Sequence, residues 1–201
     1  MKKILLCLCL AFGYGVANDK NGVILGIEFG LSEVDLKASA QGRSGNIKLS
    51  APVYGFKAGY KHFFTDLIGL QGYFSFKDAF ASVKQGGALN SVDSSAHFMP
   101  LMANADVIFD FYKTNNLSLD AIIGIGLGLA ILNDNNLIGV GSTSHSGFYS
   151  DARIGLGLNL ANNRVGLNAA FPIAPASKSV NNIDYKIKQN YTISLTYDYV
   201  F

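Results

Sequence analysis

Tyr191-Thr-Ile-Ser-Leu-Thr-Tyr-Asp-Tyr-Val-Phe201 alternates along its whole length. Tyr191, Ile193, Leu195, Tyr197, Tyr199 and Phe201 share one face of an extended strand, while Thr192, Ser194, Thr196 and Asp198 share the other. A period-2 segment of this length crosses a bilayer when tilted. Its apolar face is rich in tyrosine, which suits the boundary between lipid and water.

Working back from this strand, the alternation recurs seven more times. Strand one spans about 22–32, with Val23, Leu25, Ile27, Phe29 and Leu31 on one face. Strand two spans about 53–63, with Tyr54, Phe56, Ala58 and Tyr60 outward and Lys57 and Lys61 inward. Strand three puts Ile68, Leu70, Phe74 and Phe76 outward. Strand four, about 97–112, alternates Leu101, Ala103, Ala105, Val107, Phe109 and Phe111 with Met102, Asn104, Asp106, Ile108 and Asp110. Strand five, 117–130, sets seven aliphatic residues against Ser118, Asp120, Gly124, Gly126 and Gly128. Strand six, about 148–160, faces Asp151, Arg153, Gly155, Gly157 and Asn159 inward, and strand seven covers 165–173.

Eight strands result, joined by connections that alternate in length. Those near 65, 114 and 162 are short, and those near 33–52, 77–97, 131–147 and 174–187 are long. Short periplasmic turns and long extracellular loops are the asymmetry of an outer-membrane barrel. Closure into a barrel also removes the sheet edges that hydrocarbon cannot satisfy. The expected fold is therefore all-β: an eight-stranded antiparallel transmembrane up-and-down β-barrel with four long extracellular loops.

The other end of the chain agrees. Met1-Lys2-Lys3 is a basic leader, Ile4 to Phe12 is apolar, and Gly15-Val16-Ala17 offers small residues for cleavage before Asn18. Residues 1–17 read as a cleaved signal peptide and 18–201 as the barrel, ending with no further domain. Cys7 and Cys9 both lie in the leader, so no disulfide or thiolate metal site is expected in the mature chain. Without Lys2 and Lys3, the sixteen Lys and Arg become fourteen, equal to the fourteen Asp and Glu. That balance gives no reason to expect nucleic acid. The mean hydropathy of +0.25 comes from alternating strands, with no helix-length apolar run after the leader.

The last strand, with its terminal phenylalanine, resembles the closing strand of Gram-negative outer-membrane barrels. The whole architecture resembles the small eight-stranded families, the opacity-type proteins and the OmpA- and OmpX-like transmembrane barrels. That resemblance implies location in the cell outer membrane and contact with outer-membrane lipid and lipopolysaccharide. It also implies recognition by the barrel-assembly machinery through Tyr197, Tyr199 and Phe201. The chain departs from the usual aromatic girdle in having no Trp. Tyr54, Phe63, Phe64, Phe111, Tyr112, Phe148, Tyr197 and Tyr199 are expected to supply it instead.

The inward face carries one charged constellation. Counting residues from turns and chain ends places Glu28, Lys57, Asp106 and Arg153 in a single layer, with Arg153 bridging Glu28 and Asp106. Nearer the periplasm, Asp110 and Asp120 face each other, with Lys61 and Asp198 at similar depth. Buried charges need partners, and an eight-stranded barrel is barely wide enough for its own side chains. The expected role of this cluster is to plug the lumen; the competing role is a gated ion path. The inward glycines leave room for water in this reading.

Other motifs fail on context. Gly124-Ile-Gly-Leu-Gly128 lies within a strand and lacks the third glycine of a dinucleotide site. His62, His97 and His145 stand on separate segments with no ligand partner nearby. Ser142-Thr-Ser-His145-Ser146 reads as a polar loop, because near-adjacent residues do not generally aim a base at a nucleophile. No catalytic, cofactor or metal site is expected. The leading function is a non-catalytic surface barrel serving membrane integrity, adhesion, or contact with host or other surface ligands through its loops. The alternatives are a narrow, porin-like path for ions or small solutes and, ranked last, a lipid-modifying enzyme.

Overall fold

The computed structural model describes residues 21–40, 43–85, 92–114, 117–135, 142–174, 176–180 and 183–201. The leader read at 1–17 lies outside the described residues. Among the described residues, nine strands form one closed antiparallel sheet: β1 (Gly22–Ala40), β2 (Arg43–Phe63), β3 (Ile68–Gln85), β4 (Val92–Lys113), β5 (Leu117–Asn135), β6 (Ser142–Leu160), β7 (Asn163–Ala174), β8 (Ala176–Val180) and β9 (Ile183–Val200). β7 and β8 are two pieces of the seventh stave, both pairing with β9, and β9 closes on β1. Eight staves and no helix are present among the described residues.

Alternation decides which face each residue takes. Leu25, Ile27, Phe29, Leu31, Ile123, Ile125, Leu127, Ile193 and Leu195 are exposed, and they form the lipid-facing belt. Glu28, Lys57, Asp106, Asp120, Arg153 and Arg164 are buried inside. A soluble protein would invert this arrangement.

The strands run much further than their apolar patterns. β1 and β2 pair without interruption from Gly22↔Lys61 to Ala40↔Arg43, through most of the stretch expected to be a loop. β4 and β5 likewise pair as far as Ser95↔Asn135. Hairpin pairing continues beyond the belt, where the sense of the alternation reverses: Ala51, Ala81, Ala96 and Leu132 are buried inside, so the outward apolar row that marks the lower strands ends. Phe63 is a second difference. It is only 8% exposed and turns inward, so it leaves the girdle to the other named aromatics. A bulge between Asp110 and Tyr112 lets Phe111 and Tyr112 both face out.

The β6–β7 connection is a two-residue turn, Leu160 pairing with Asn163. Ala161 there has φ 50°, a left-handed conformation that a β-carbon disfavours. Positive φ at the first central position is the type II′ pattern, which prefers glycine. Ala161→Gly should therefore stabilise the barrel by roughly 1 kcal/mol, read as a higher urea midpoint. A lower midpoint would contradict the assigned turn geometry.

Candidate functional site

The lumen is filled in three successive layers. At the periplasmic end, Arg164 enters from the start of β7 and is fully buried. Its Nε and Nη2 donate to the Asp120 carboxylate at 2.8 and 2.7 Å, and Nη1 donates to Asp198 Oδ2 at 3.3 Å. Lys57 Nζ lies 2.9 Å from the same Asp198 oxygen. Asn159 donates to Asp120 at 2.7 Å and accepts from Lys61 Nζ at 3.4 Å. Asp110 sits directly across from Asp120 in the β4–β5 register. Lys61 also stands 5.3 Å from the centre of the inward Phe63 ring.

The middle layer is organised by Arg153. Its Nη2 is 3.2 Å from Asp151 Oδ1, 3.8 Å from Asp106 Oδ1 and 2.8 Å from Asn104 Oδ1, while Nη1 donates to the Tyr73 hydroxyl. Gln71 donates to the other Asp106 oxygen at 2.7 Å. Glu28 forms its own pair with Lys77, 2.8 Å away.

The extracellular layer is apolar. Ala51, Val53, Ala79, Ala81, Ala96, Phe98, Met102, Ala130, Leu132 and Tyr149 form one buried cluster inside the barrel. The Phe98 and Tyr149 rings meet edge-on with centroids 5.4 Å apart. The Tyr149 hydroxyl donates to Gln189, which in turn donates to Ser32 on β1 and to Thr192. The cap is thereby tied to β9 and β1 at the closing seam.

The four residues expected in one layer are divided by the structure. Arg153 and Asp106 meet, whereas Lys57 takes Asp198 and Glu28 takes Lys77. Counting from the turns ignores the stagger of tilted strands, which sets lateral neighbours in a barrel. The inward glycines also serve differently from the expected water-filled space. Gly26 lies in register between Lys57 and Asp198, Gly55 between Glu28 and Lys77, and Gly124 between Asp106 and Arg153. In each case the ion pair reaches across the missing side chain. At Gly124 a β-carbon would collide with the Asp106 carboxylate.

Lys77, Arg164, Tyr73 and the Phe98–Tyr149 cap were not among the residues singled out from the sequence, and Asp151 was read as inward but not placed in the charged constellation. Lys77 fell in a stretch read as loop, and Arg164 in a stretch read as turn. An inward glycine flanked on both neighbouring strands by opposite charges is the signal that would have found the pairs, once the register is known.

A separate polar cluster lies on the outward face, where β3 and β4 leave the belt. Tyr54 donates to Asp78 Oδ2 at 2.7 Å, and His97 Nδ1 sits 3.1 and 3.2 Å from the two Asp78 oxygens. Phe80 packs on the His97 ring with centroids 4.7 Å apart. His97 thus has an acidic neighbour that the sequence reading did not assign. At the chain end, Tyr197 and Tyr199 face outward, Tyr197 donates to Asn163 at 2.6 Å, and the Phe201 N–H donates to the Val23 carbonyl at 2.9 Å.

Residues 55–201 match the family described as Helicobacter outer membrane protein. No curated protein sequence matches the chain. Among solved structures it is similar to Neisserial surface protein A, with a TM-score of 0.50 and 14% identity over 90% of this chain and 97% of that one. It is also similar to the attachment invasion locus protein Ail of Yersinia pestis, solved with the heparin analogue sucrose octasulfate: TM-score 0.41, 16% identity, 89% of this chain and 99% of that one. The outer membrane protease OmpT from Escherichia coli gives 0.46 and 9% identity over 94% and 99%. At such identities these likenesses concern the fold alone.

Proposed function

The chain belongs to the Helicobacter outer membrane protein family, and from that premise we propose that it is a closed, non-catalytic surface barrel. It contributes to the integrity of the outer membrane and makes its contacts through the hairpins that rise above the lipid. The observation carrying this reading is the filling of the lumen: ion pairs at the bottom and middle, and the Phe98–Tyr149 apolar cap above them. A small barrel so packed has its outer wall and rim left for recognition.

Planar-bilayer recording of the refolded protein tests the closed lumen, with no steady conductance expected. A large stable channel would overturn the reading and favour the pore. Mass spectrometry of lipid A with and without the protein should show no change in acyl chains or phosphates; a new lipid species would overturn the non-catalytic assignment.

Two further roles belong to the same proposal. Residues 1–17 direct export and are removed. Tyr197, Tyr199 and Phe201 act as the assembly signal, a role supported by their outward-facing aromatic row on the strand that closes the barrel. Phe201→Asp should reduce assembled protein in cells several-fold yet leave folding into detergent micelles unchanged. Equal surface levels of variant and wild type would remove the role.

A further inference from the structure

Among the described residues, β3 loses its backbone partners on both sides at one height. Its pairing with β2 runs from Phe63↔Gly69 up to Val53↔Ala79, and the next residue of β2 is Pro52. Its pairing with β4 passes from Phe76↔Leu101 to Ala79↔Phe98 and skips Lys77 and Asp78, which lie beside Pro100 and Met99. A proline brings no N–H to a ladder, so both flanks of β3 are weak here. Above the break, β3 continues with β4 as its partner, out to Gln85↔Val92. Ala79, Ala81, Ala96 and Phe98 of this upper hairpin belong to the apolar cap.

Side chains bridge this break. Asp78 on β3 is buried; Tyr54 on β2 donates to it at 2.7 Å, and His97 on β4 meets both of its oxygens at 3.1 and 3.2 Å. Glu28, Asp120 and Asp198 in the lumen are paired with lysine or arginine, whereas Asp78 meets a phenol and an imidazole. A buried carboxylate calls for a cation, and of these two groups the imidazole is the one that gains charge at roughly pH 5–8. The His97 side chain is 39% exposed, so protons reach it from the medium. Its partners across the strands are uncharged: Phe80, whose ring packs on the imidazole with centroids 4.7 Å apart, and Asn133 on β5. Protonation strengthens both contacts, the hydrogen bond to the Asp78 carboxylate and the packing on the Phe80 ring.

We propose that Asp78 and His97, seated by Tyr54, form a pH-operated latch for the upper β3–β4 hairpin: protonated His97 fastens β3 to β4 across the break, and neutral His97 loosens it. A histidine that gains a partner on folding stabilises the structure while it is protonated. Its contribution is full below the pKa of a free histidine and is lost as pH rises through that of the folded state. The latch is therefore closed at about pH 5 and loosened at about pH 8. It acts on the rim, and the ion-paired layers of the lumen lie below it. A conducting barrel would retain it, so the latch and the closed-lumen reading can fail separately.

The test is hydrogen exchange of the full barrel refolded into phosphatidylcholine vesicles, at about pH 5 and about pH 8. Each rate is compared with that of the urea-unfolded chain at the same pH, which removes the intrinsic pH dependence of exchange. Protection of residues 79–85 should fall roughly two- to fivefold from the lower pH to the higher, the worth of a part-exposed ion pair. Protection of residues 191–199 should stay constant. His97→Gln and Asp78→Asn should show the looser level at both pH values. His97→Lys, which carries a fixed charge, should stay protected at both, and His62→Gln should respond as wild type does. Equal protection of wild type at the two pH values would overturn the latch. So would a pH response that survives in His97→Gln, or one that extends equally to residues 191–199.

Discussion

Arg164→Ala should be one of the two most damaging single truncations in the barrel, lowering its stability by about 3–5 kcal/mol, less where periplasmic water enters. The guanidinium grips Asp120 with two donors and Asp198 with a third, and it is fully buried. Without it, Asp120 loses both guanidinium donors and keeps Asn159 at 2.7 Å, and Asp198 keeps Lys57 at 2.9 Å. Uncompensated buried carboxylates are the source of the loss, more than the pair's own attraction. Arg164→Lys should recover only part of it, since an ammonium supplies charge without the fork. The double variant Arg164→Met/Asp120→Asn should be milder than Arg164→Ala. Because the chain contains no Trp, unfolding is followed by circular dichroism and by the mobility of unheated samples on gels. A midpoint equal to wild type would mean that the periplasmic layer is hydrated and its ion pairs contribute little.

The second large effect concerns the seal. Arg153→Ala removes the partner of Asp106 and Asp151 and should destabilise by about the same 3–5 kcal/mol. It should nevertheless conduct no steady current, because the Phe98–Tyr149 cap stands above the vacated space. Adding Phe98→Ala and Tyr149→Ala should open a path, and it should select cations because Asp106 and Asp151 remain in the wall without Arg153. Current through Arg153→Ala with the cap intact would show that the guanidinium, not the cap, closes the lumen. A silent triple variant that is folded by gel mobility would place the seal in the Arg164 layer.

The two parts of the structure were unequally legible in the sequence. Tyr191 to Phe201 and Leu117 to Ala130 announce membrane-crossing strands because one face meets hydrocarbon and the other a polar lumen, and that contrast is written residue by residue. The strand count, the outward belt and the inward placement of Glu28, Lys57, Asp106 and Arg153 follow from it. The upper hairpins were not legible as membrane-type strands, since beyond the belt the alternation reverses, with Ala51, Ala81, Ala96 and Leu132 inside, and the outward apolar row ends.

Sequence alone thus determined that this chain is an outer-membrane barrel and which residues face its lumen, because facing depends on parity within one strand. Only the tertiary structure decided who meets whom: Lys77 with Glu28 across Gly55, Arg164 with Asp120, Phe98 with Tyr149. Those partnerships depend on register and stagger between strands far apart in the chain, and a tilted, closed sheet sets them collectively.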